Sequence, residues 1–457
     1  MGLYIQVHSM HGLVRSVNLE LGRDEDTGGQ ILYIKYLAAE LGMLPEVDRV
    51  DVITRRIIDV DYPGYSDLVE PITSKAHIVR IECGPKRYIK KVNLWPYMEE
   101  YTNNCLKYIK KLGRIPDILH SNYADAGLVC TRLAKILAIP QVHTGHSLGK
   151  PKMARLGVTD QNFSEFDRIY HFSERFKAEQ EAIDNAAAII VSTDEERLHQ
   201  YNLYNVDISD SRFHIIPPGL NSLKIYPPAE ENRTAENLVA RGRILSLINQ
   251  ALAEPAKPMV FTISRLDYRK NLTSLVKAYA FDRELQTMAN LVIVTGSLGK
   301  MGKHEQLLMQ EMQSIVDAYN LTDKVCIIKH LEYETQVGEM YRVVHDYRGV
   351  FVNPAFHEPF GITILEAAAT GIPIVATNNG GPVEILAKCD CGLLIDPRDT
   401  KAIARACKKI LNGNDQWSMY AQNGLKNVPA YYSWANTARK ELQIFLNILG
   451  NRTVTLT

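Results

Sequence analysis

No charge of either sign predominates in this chain: Lys and Arg number 52, and Asp and Glu also 52, among 457 residues. Without a global field, neither nucleic acid nor a membrane surface is favoured as a partner. Long hydrophobic runs are also missing. No segment reaches the ~18 apolar residues of a membrane span, and the opening "MGLYIQVHSMHGL" lacks the charged start, apolar run and cleavage site of a secretory leader. A cytoplasmic protein is expected. Cysteine is sparse, seven residues scattered mostly through apolar segments, which reads as buried, reduced thiols. Cys389 and Cys391 form a lone C-x-C with no second pair or nearby histidine, a poor metal site. The GxGxxG dinucleotide fingerprint and the GxxxxGK[ST] phosphate loop do not occur, which disfavours a nicotinamide enzyme and a P-loop ATPase. Low-complexity tracts and repeats of twenty to fifty residues are not seen.

What is present is alternation. Short β-branched runs such as "DVITRR", "HIVRIEC", "AAAIIVST", "MVFTISRL", "LVIVTG", "VCIIKHL", "GVFVNPA" and "IPIVATN" read as buried parallel strands. Segments of helical period, among them "ILYIKYLAAELG", "NLTSLVKAYAFD" and "TKAIARACKKILNG", lie between them. Repeated βαβ units predict doubly wound sheets. A chain of this length needs two cores, and the alternation breaks at "FHIIPPGLNSLKIYPPAEENRTAEN", where two Pro-Pro pairs stand. The domains are therefore set at 1–218 and 219–431. The closing amphipathic "WANTARKELQIFLNILG" has no strand after it, so a helix within 432–457 is expected to cross back and complete the first domain.

Ligands of open α/β sheets sit outside the carboxyl ends of strands, at helix N-termini that favour anions. Residues after strands are thus the candidates. "HEPFGITILEAAATG" follows the strand "GVFVNPAF" and sets Glu358 in a turn with Pro359, Phe360 and Gly361, and Glu366 on the ensuing helix. Carboxylates in apolar settings accept pairs of hydroxyl hydrogen bonds, as sugars and ribose offer. The plainer reading makes Glu358 an acid favoured by the helix dipole and Glu366 a solvated face residue. "SRLDYRKN" places Arg265, Arg269 and Lys270 where a strand meets a helix, suited to a diphosphate or simply an exposed basic loop. Two further glycine turns, "GSLGKMG" and "NNGGP", follow strands; the second leads into a helix beginning near Val383 and carrying Glu384.

In the first domain, "DEDTGGQ" precedes a helix, so Gly28 and Gly29 would let a ligand approach backbone at a positive helix end, or Asp26 or Thr27 merely caps that helix. "VHTGHSLGKPK" ends a strand with His143, His146, Ser147, Lys150 and Lys152, a set suited to a polar acceptor carrying an anion. "GPKRYIKK" and "HFSERFKAE" add Lys86, Arg87, Lys90, Lys91, Arg175 and Lys177, each by itself readable as solvated surface charge.

Together these motifs resemble a known family. "HEPFGITILEAAATGIPIVATNNGGP" resembles the E-x7-E segment of retaining GT-B glycosyltransferases, and "NPAFHEPFG", "LWPYMEEY", "HSNYADAGL" and "TGHSLGKPK" are similar to sucrose-phosphate synthases in their compact bacterial form. The resemblance implies a GT-B fold, two Rossmann-like domains facing across a cleft, with acceptor residues on the first and donor residues on the second. It implies that Glu366 holds the ribose and Glu358 the glucosyl hydroxyls, with Phe360 and Gly361 lining the donor. Arg265 and Lys270 would neutralise the leaving diphosphate, and Gly29 would bring backbone close to it. His146 would hydrogen-bond the transferred sugar; Gly28, Gln30, Tyr123 and Ser147 would line the acceptor, and Lys91, Lys152 and Arg175 would clamp its phosphate. The implied reaction is UDP-glucose plus fructose 6-phosphate giving sucrose 6-phosphate and UDP, with configuration retained. No metal is implied as a requirement, Mg2+ entering at most as a stimulant, and a sucrose-phosphate phosphatase is the implied partner. A mannosylfructose-phosphate synthase, a sucrose synthase and a non-catalytic sugar-phosphate regulator are the competing readings.

Overall fold

The computed structural model describes residues 2–20, 23–24, 26–220, 227, 234–296 and 301–453. It divides into two compact units, one formed by Met1–Gly219 with Trp434–Thr457 and the other by Leu220–Ser433. The glycine-turn residues 297–300, and residues 221–226 and 228–233 of the expected domain boundary stretch, lie outside the described residues.

The first unit is built on an eight-stranded sheet: β1 Leu3–His8, β2 Val47–Arg55, β3 Val69–Pro71, β4 Ala76–Ile81, β5 Ile118–Asn122, β6 Gln141–Thr144, β7 Ala188–Val191 and β8 Phe213–Ile215. Its order is β3-β4-β2-β1-β5-β6-β7-β8, parallel throughout except for the antiparallel pair β3–β4. The second unit holds β9 Met259–Ile263, β10 Asn290–Val294, β11 Val325–Ile328, β12 Val350–Asn353, β13 Ile374–Thr377 and β14 Gly392–Ile395. Their order is β11-β10-β9-β12-β13-β14, all parallel.

Because successive strand residues face opposite sides of a sheet, a strand with helices on both faces must be apolar throughout. The second unit shows this directly. Val260, Leu291, Ile293, Val350 and Val352 enter one core, whereas Phe261, Val292, Val294 and Phe351 enter the other. In the first unit one core gathers Ile5, Val7, Val50, Val52, Ile118 and Val142 under the helix Gly29–Met43, which adds Ile31, Tyr33, Ile34 and Leu37. The closing helix Trp434–Thr453 lays Trp434, Ala438, Leu442 and Phe445 into that same core. Its Thr437 hydroxyl donates to the Pro217 carbonyl at 2.9 Å.

Strand order reverses beside β1 in the first sheet and beside β9 in the second, where the next strand in sequence lies on the other side. Such reversals open a crevice at the strands' carboxyl ends. The residues after β1, β5 and β6, and those after β9 and β12, therefore come together around two such points.

Candidate active site

In the second unit the loop after β9 turns through the single 3-10 turn Tyr268–Lys270. Asp267 starts that turn and accepts hydrogen bonds from the Arg269 amide and from its Nε, both at 2.9 Å. The Arg269 bonds outweigh partial burial and hold the Asp267 carboxyl down to about 2. Arg269 is thereby folded back on its own loop. Asn271, in the left-handed region at φ 54°, donates to the carbonyls of Pro354 and Pro397 at 2.9 Å each and so fastens the loop to those after β12 and β14. Lys270 is left to reach across: its Nζ stands 2.7 Å from Glu358 Oε2. Asn353, the last residue of β12, donates from Nδ2 to the same oxygen at 3.0 Å. Arg265 is exposed and lines a cavity of about 640 Å³ with Tyr268, His304 and Leu308.

Glu358 is only 7% exposed, and its backbone pairs with the loop after β13. Its amide donates to the Asn379 carbonyl at 3.1 Å and its carbonyl accepts from the Gly381 amide at 2.9 Å. Gly380 makes this possible: it has φ 102°, and a Cβ there would stand 2.2 Å from the Glu358 carbonyl oxygen. The helix that follows is Ile362–Ala369, entered through Gly361 at φ 106°, while the half-buried Phe360 ring meets Tyr432 edge-on at 6.3 Å. Glu366 points inward at 4% exposure, accepting from the Tyr341 hydroxyl at 2.9 Å and the Tyr333 hydroxyl at 3.3 Å. Burial pushes its carboxyl up to about 7 despite those two donors. The solvated-face reading of Glu366 is thus excluded, because the helix turns that residue toward the helix Gly338–Asp346 and not outward. The helix after "NNGGP" runs Gly381–Cys389, starting two residues before Val383 because Pro382 fits a first helical turn.

In the first unit the candidates form a connected set. Tyr123, at φ 79° and 5% exposure, opens the helix Tyr123–Leu137. The Arg175 guanidinium lies 4.7 Å from its ring centre, the Lys91 ammonium 5.5 Å, and the His11 ring meets it edge-on at 4.6 Å. Arg175 belongs to the helix Phe172–Asn185 and is 4% exposed, so the reading of it as solvated surface charge is corrected. Its Nε donates to Glu179 at 2.9 Å and its Nη2 to the Ser147 carbonyl. Burial works against the cation, but Glu179 prevails and raises the Arg175 pKa. Glu179 also accepts from the Gly149 amide at 2.9 Å, holding the first turn of the short helix Gly149–Arg155 that carries Lys152. Lys152 Nζ sits 4.3 Å over the Tyr170 ring. Lys150 donates to the Leu203 carbonyl at 2.6 Å, and Lys86, Arg87 and Lys177 are exposed.

His146 occupies the left-handed region at φ 55° just past β6, and its Nε2 lies 2.8 Å from Asn122 Oδ1. Asn122 donates from Nδ2 to the His120 carbonyl, so its oxygen faces the imidazole and Nε2 carries the proton. Burial, with His143 and His11 nearby, lowers the His146 pKa to about 3. The ring is neutral and its Nδ1 remains an acceptor.

The loop before Gly29–Met43 departs from expectation. Neither Asp26 nor Thr27 caps the helix; Gly28 stands at the cap without a side-chain bond. Asp26 is turned inward, 2.8 Å from Lys91 Nζ and accepting the Lys91 amide at 2.8 Å, while the Thr27 hydroxyl accepts from Leu13. Burial opposes the Asp26 charge, but Lys91 more than compensates and lowers its pKa. A Cβ on Gly28 or Gly29 would meet nothing within 4 Å, so no protein atom demands glycine there and the space above both is open. Gln30 donates to Ser9 at 2.9 Å.

Asn353, Tyr341, Tyr333 and Glu179 are not evident as site residues from sequence, and Asp26 is read there only as a helix cap. Asn353 ends a strand, and Glu179 lies four residues after Arg175 on one helix, which are the signals that could have found them. Among the described residues no group of three or more His, Cys, Asp or Glu could hold a metal, and no helix is long and apolar enough to cross a membrane. All seven cysteines are buried and unbonded.

Comparison with known proteins covers both units. The model "Sucrose synthase first GT-B domain" matches residues 2–245, and "Glycosyl transferases group 1" matches residues 246–427. A probable sucrose-phosphate synthase 1 of Oryza sativa subsp. indica is 36% identical over 96% of this chain and 46% of its own length. The chain therefore spans about half the length of the curated relatives it matches. The sucrose-phosphate synthase of Thermosynechococcus elongatus superposes with a TM-score of 0.72 at 25% identity, over 98% of this chain and 100% of its own. HepE of Anabaena, in complex with UDP and glucose, shares the fold at a TM-score of 0.63 and 14% identity, over 96% of this chain and 98% of its own. From its two parallel-sheet units, its two family models and these relatives, the chain belongs to the GT-B glycosyltransferases, in the family of sucrose synthases and sucrose-phosphate synthases.

Proposed function

We propose that the protein transfers glucose from UDP-glucose to fructose 6-phosphate, giving sucrose 6-phosphate and UDP with the anomeric configuration retained. The observation that carries this reading is the 36% identity to a sucrose-phosphate synthase across 96% of the chain. The Thermosynechococcus enzyme, matched over its full length, supports it.

In this reaction the bond from glucose C1 to the diphosphate oxygen breaks and one from C1 to the fructose 2-hydroxyl oxygen forms on the same face. The hydroxyl proton passes to the departing phosphate oxygen. Charge accumulates on the diphosphate, so fixed cations aimed at it lower the barrier most. Lys270, paired with Glu358, and the exposed Arg265 fill that role, and the amide end of the helix Gly29–Met43 adds positive potential beside the open space over Gly29. Glu358 accepts glucosyl hydroxyls and Glu366 the ribose hydroxyls. Neutral His146 offers Nδ1 to a hydroxyl of the transferred sugar. The acceptor phosphate is met by Lys152, Lys91 and Arg175, the latter two already oriented by Asp26 and Glu179. A phosphomonoesterase is needed afterwards to release the free disaccharide.

Product formation from UDP-glucose with fructose 6-phosphate, and separately with fructose, tests this. The phosphorylated acceptor should be preferred, and Lys152→Ala should raise its KM by about 10- to 100-fold, the size of one charged hydrogen bond. Equal use of both acceptors would move the assignment to sucrose synthesis without phosphate; no product from either would end it.

A further inference from the structure

Glu441 is the single carboxyl of the closing helix, at 0% exposure among Trp434, Ala438, Leu442 and Phe445. An isolated buried carboxyl costs several kcal/mol, and an apolar residue of the same volume is commonly neutral or stabilising in its place. Stability alone does not account for it. Its contacts are specific: Oε1 accepts from the Tyr33 hydroxyl at 2.6 Å, and Oε2 lies 3.3 Å from His120 Nδ1. His120 Nε2 lies in turn 2.9 Å from the Thr144 hydroxyl. Each of these leads to His146. The Tyr33 ring meets the His146 ring edge-on at 4.8 Å, Asn122 joins the His120 carbonyl to His146 Nε2, and Thr144 is two residues before His146 on the same strand end. Tyr33 also lies four residues into the helix that begins at Gly29.

We propose that Glu441 is a positioning residue for the transferred-sugar site: through Tyr33 and His120 it fixes the place and tautomer of His146 and the seat of the helix that begins at Gly29. The inference rests on the proposed glucosyl transfer only for what His146 does, not for how it is held. Burial raises the Glu441 carboxyl to about 8 and lowers His120 to about 3, so near neutral pH a protonated Glu441 sits beside a neutral imidazole. In that form Oε2–H faces the unpartnered His120 Nδ1 at 3.3 Å, within reach of a small adjustment, and His120 Nε2–H donates to Thr144. A glutamine reproduces those bonds; a leucine supplies none.

The test compares Glu441→Leu, Glu441→Gln and Tyr33→Phe in the full chain. For Glu441→Leu the expected result is a melting temperature no lower than wild type, with kcat down about 10-fold or more and either KM changed less than about 3-fold. Glu441→Gln should keep kcat within about 3-fold of wild type, and Tyr33→Phe should fall between the two. Histidine-15N-labelled protein, with His146 assigned from a His146→Asn variant, should show a single Nε2–H tautomer that becomes mixed in Glu441→Leu. Wild-type kcat in Glu441→Leu, or a loss of rate that merely follows a lowered melting temperature, overturns the proposal. If the wild-type protein transfers no glucose, the functional reading fails and the spectrum alone decides: an unchanged His146 signal in Glu441→Leu then overturns this inference too.

Discussion

Replacing Glu366 by glutamine should make the empty protein more stable while disabling it. The carboxyl is 4% exposed, and burial lifts it from an ordinary value near 4.5 to about 7. A group that binds its proton more tightly in the fold than in the unfolded chain supports folding below the unfolded value and weakens it as pH rises. The penalty therefore grows from about pH 4.5 to about pH 7 and is constant above, reaching roughly 3 kcal/mol at 1.36 kcal/mol for each unit between those values. Glutamine keeps an oxygen for the Tyr341 hydroxyl and has no charge to desolvate. For a unit of roughly 200 residues, that converts to a rise in melting temperature of about 5 to 10 °C at pH 8 and little change at pH 5. Thermal unfolding of both proteins across pH 5 to 8 reads this, with UDP titration alongside. With the ribose bound as proposed above, the variant should also lose most of the stabilisation by UDP, because its single acceptor oxygen, already engaged by Tyr341, must replace two. A Glu366→Gln protein no more stable than wild type at pH 8, or more stable by the same amount at every pH, would refute the argument.

Three further outcomes follow from the geometry. Lys270→Ala removes the cation 2.7 Å from Glu358 and should lower kcat about 10²- to 10³-fold in the coupled UDP-release assay, with Lys270→Arg recovering part of the loss. Gly380→Ala puts a methyl 2.2 Å from the Glu358 carbonyl, so the two loops must part; UDP-glucose affinity by calorimetry should fall, and the unfolding free energy should drop by about 1 to 3 kcal/mol. Arg175→Ala leaves Glu179 buried beside Tyr204 and should destabilise the protein by about 3 to 5 kcal/mol in urea unfolding, which distinguishes it from Lys152→Ala, whose half-buried side chain should leave stability within about 1 kcal/mol.

Strands buried on both faces are conspicuous in sequence, and "MVFTI", "LVIV" and "IVAT" were legible for that reason. Those that escaped carry polar residues in the same place. β1 ends in Gln6, Val7 and His8, and β5 in His120, Ser121 and Asn122; all are buried and bonded to one another or to neighbouring strands, as in Gln6 to the Tyr4 hydroxyl at 2.7 Å. These polar strand ends underlie the residues proposed to hold the acceptor, and the apolar signature of a buried strand is lost there. Glu358 and Lys270 were legible because each follows a strand, although their mutual pairing across 88 positions was not. Arg175 looked like ordinary surface charge, since nothing local says which side of an amphipathic helix meets Tyr123. Glu441 was invisible among the charges of "RKELQ": its partner Tyr33 is 408 positions away.

That distance bears on how the protein is made. The first unit's sheet is complete by Ile215, yet its core stays open until Trp434, Ala438, Leu442 and Phe445 arrive at the far end of the chain. During synthesis the second unit, continuous from Leu220 to Ser433, has all its residues before the first unit can close. A helix made after the whole second unit is thus the clasp of the domain begun first. A chain stopped at Ser433 should be left with one sealed unit and one exposing a greasy seam to chaperones, with Tyr33 and His120 still lacking the carboxyl they meet in the finished fold.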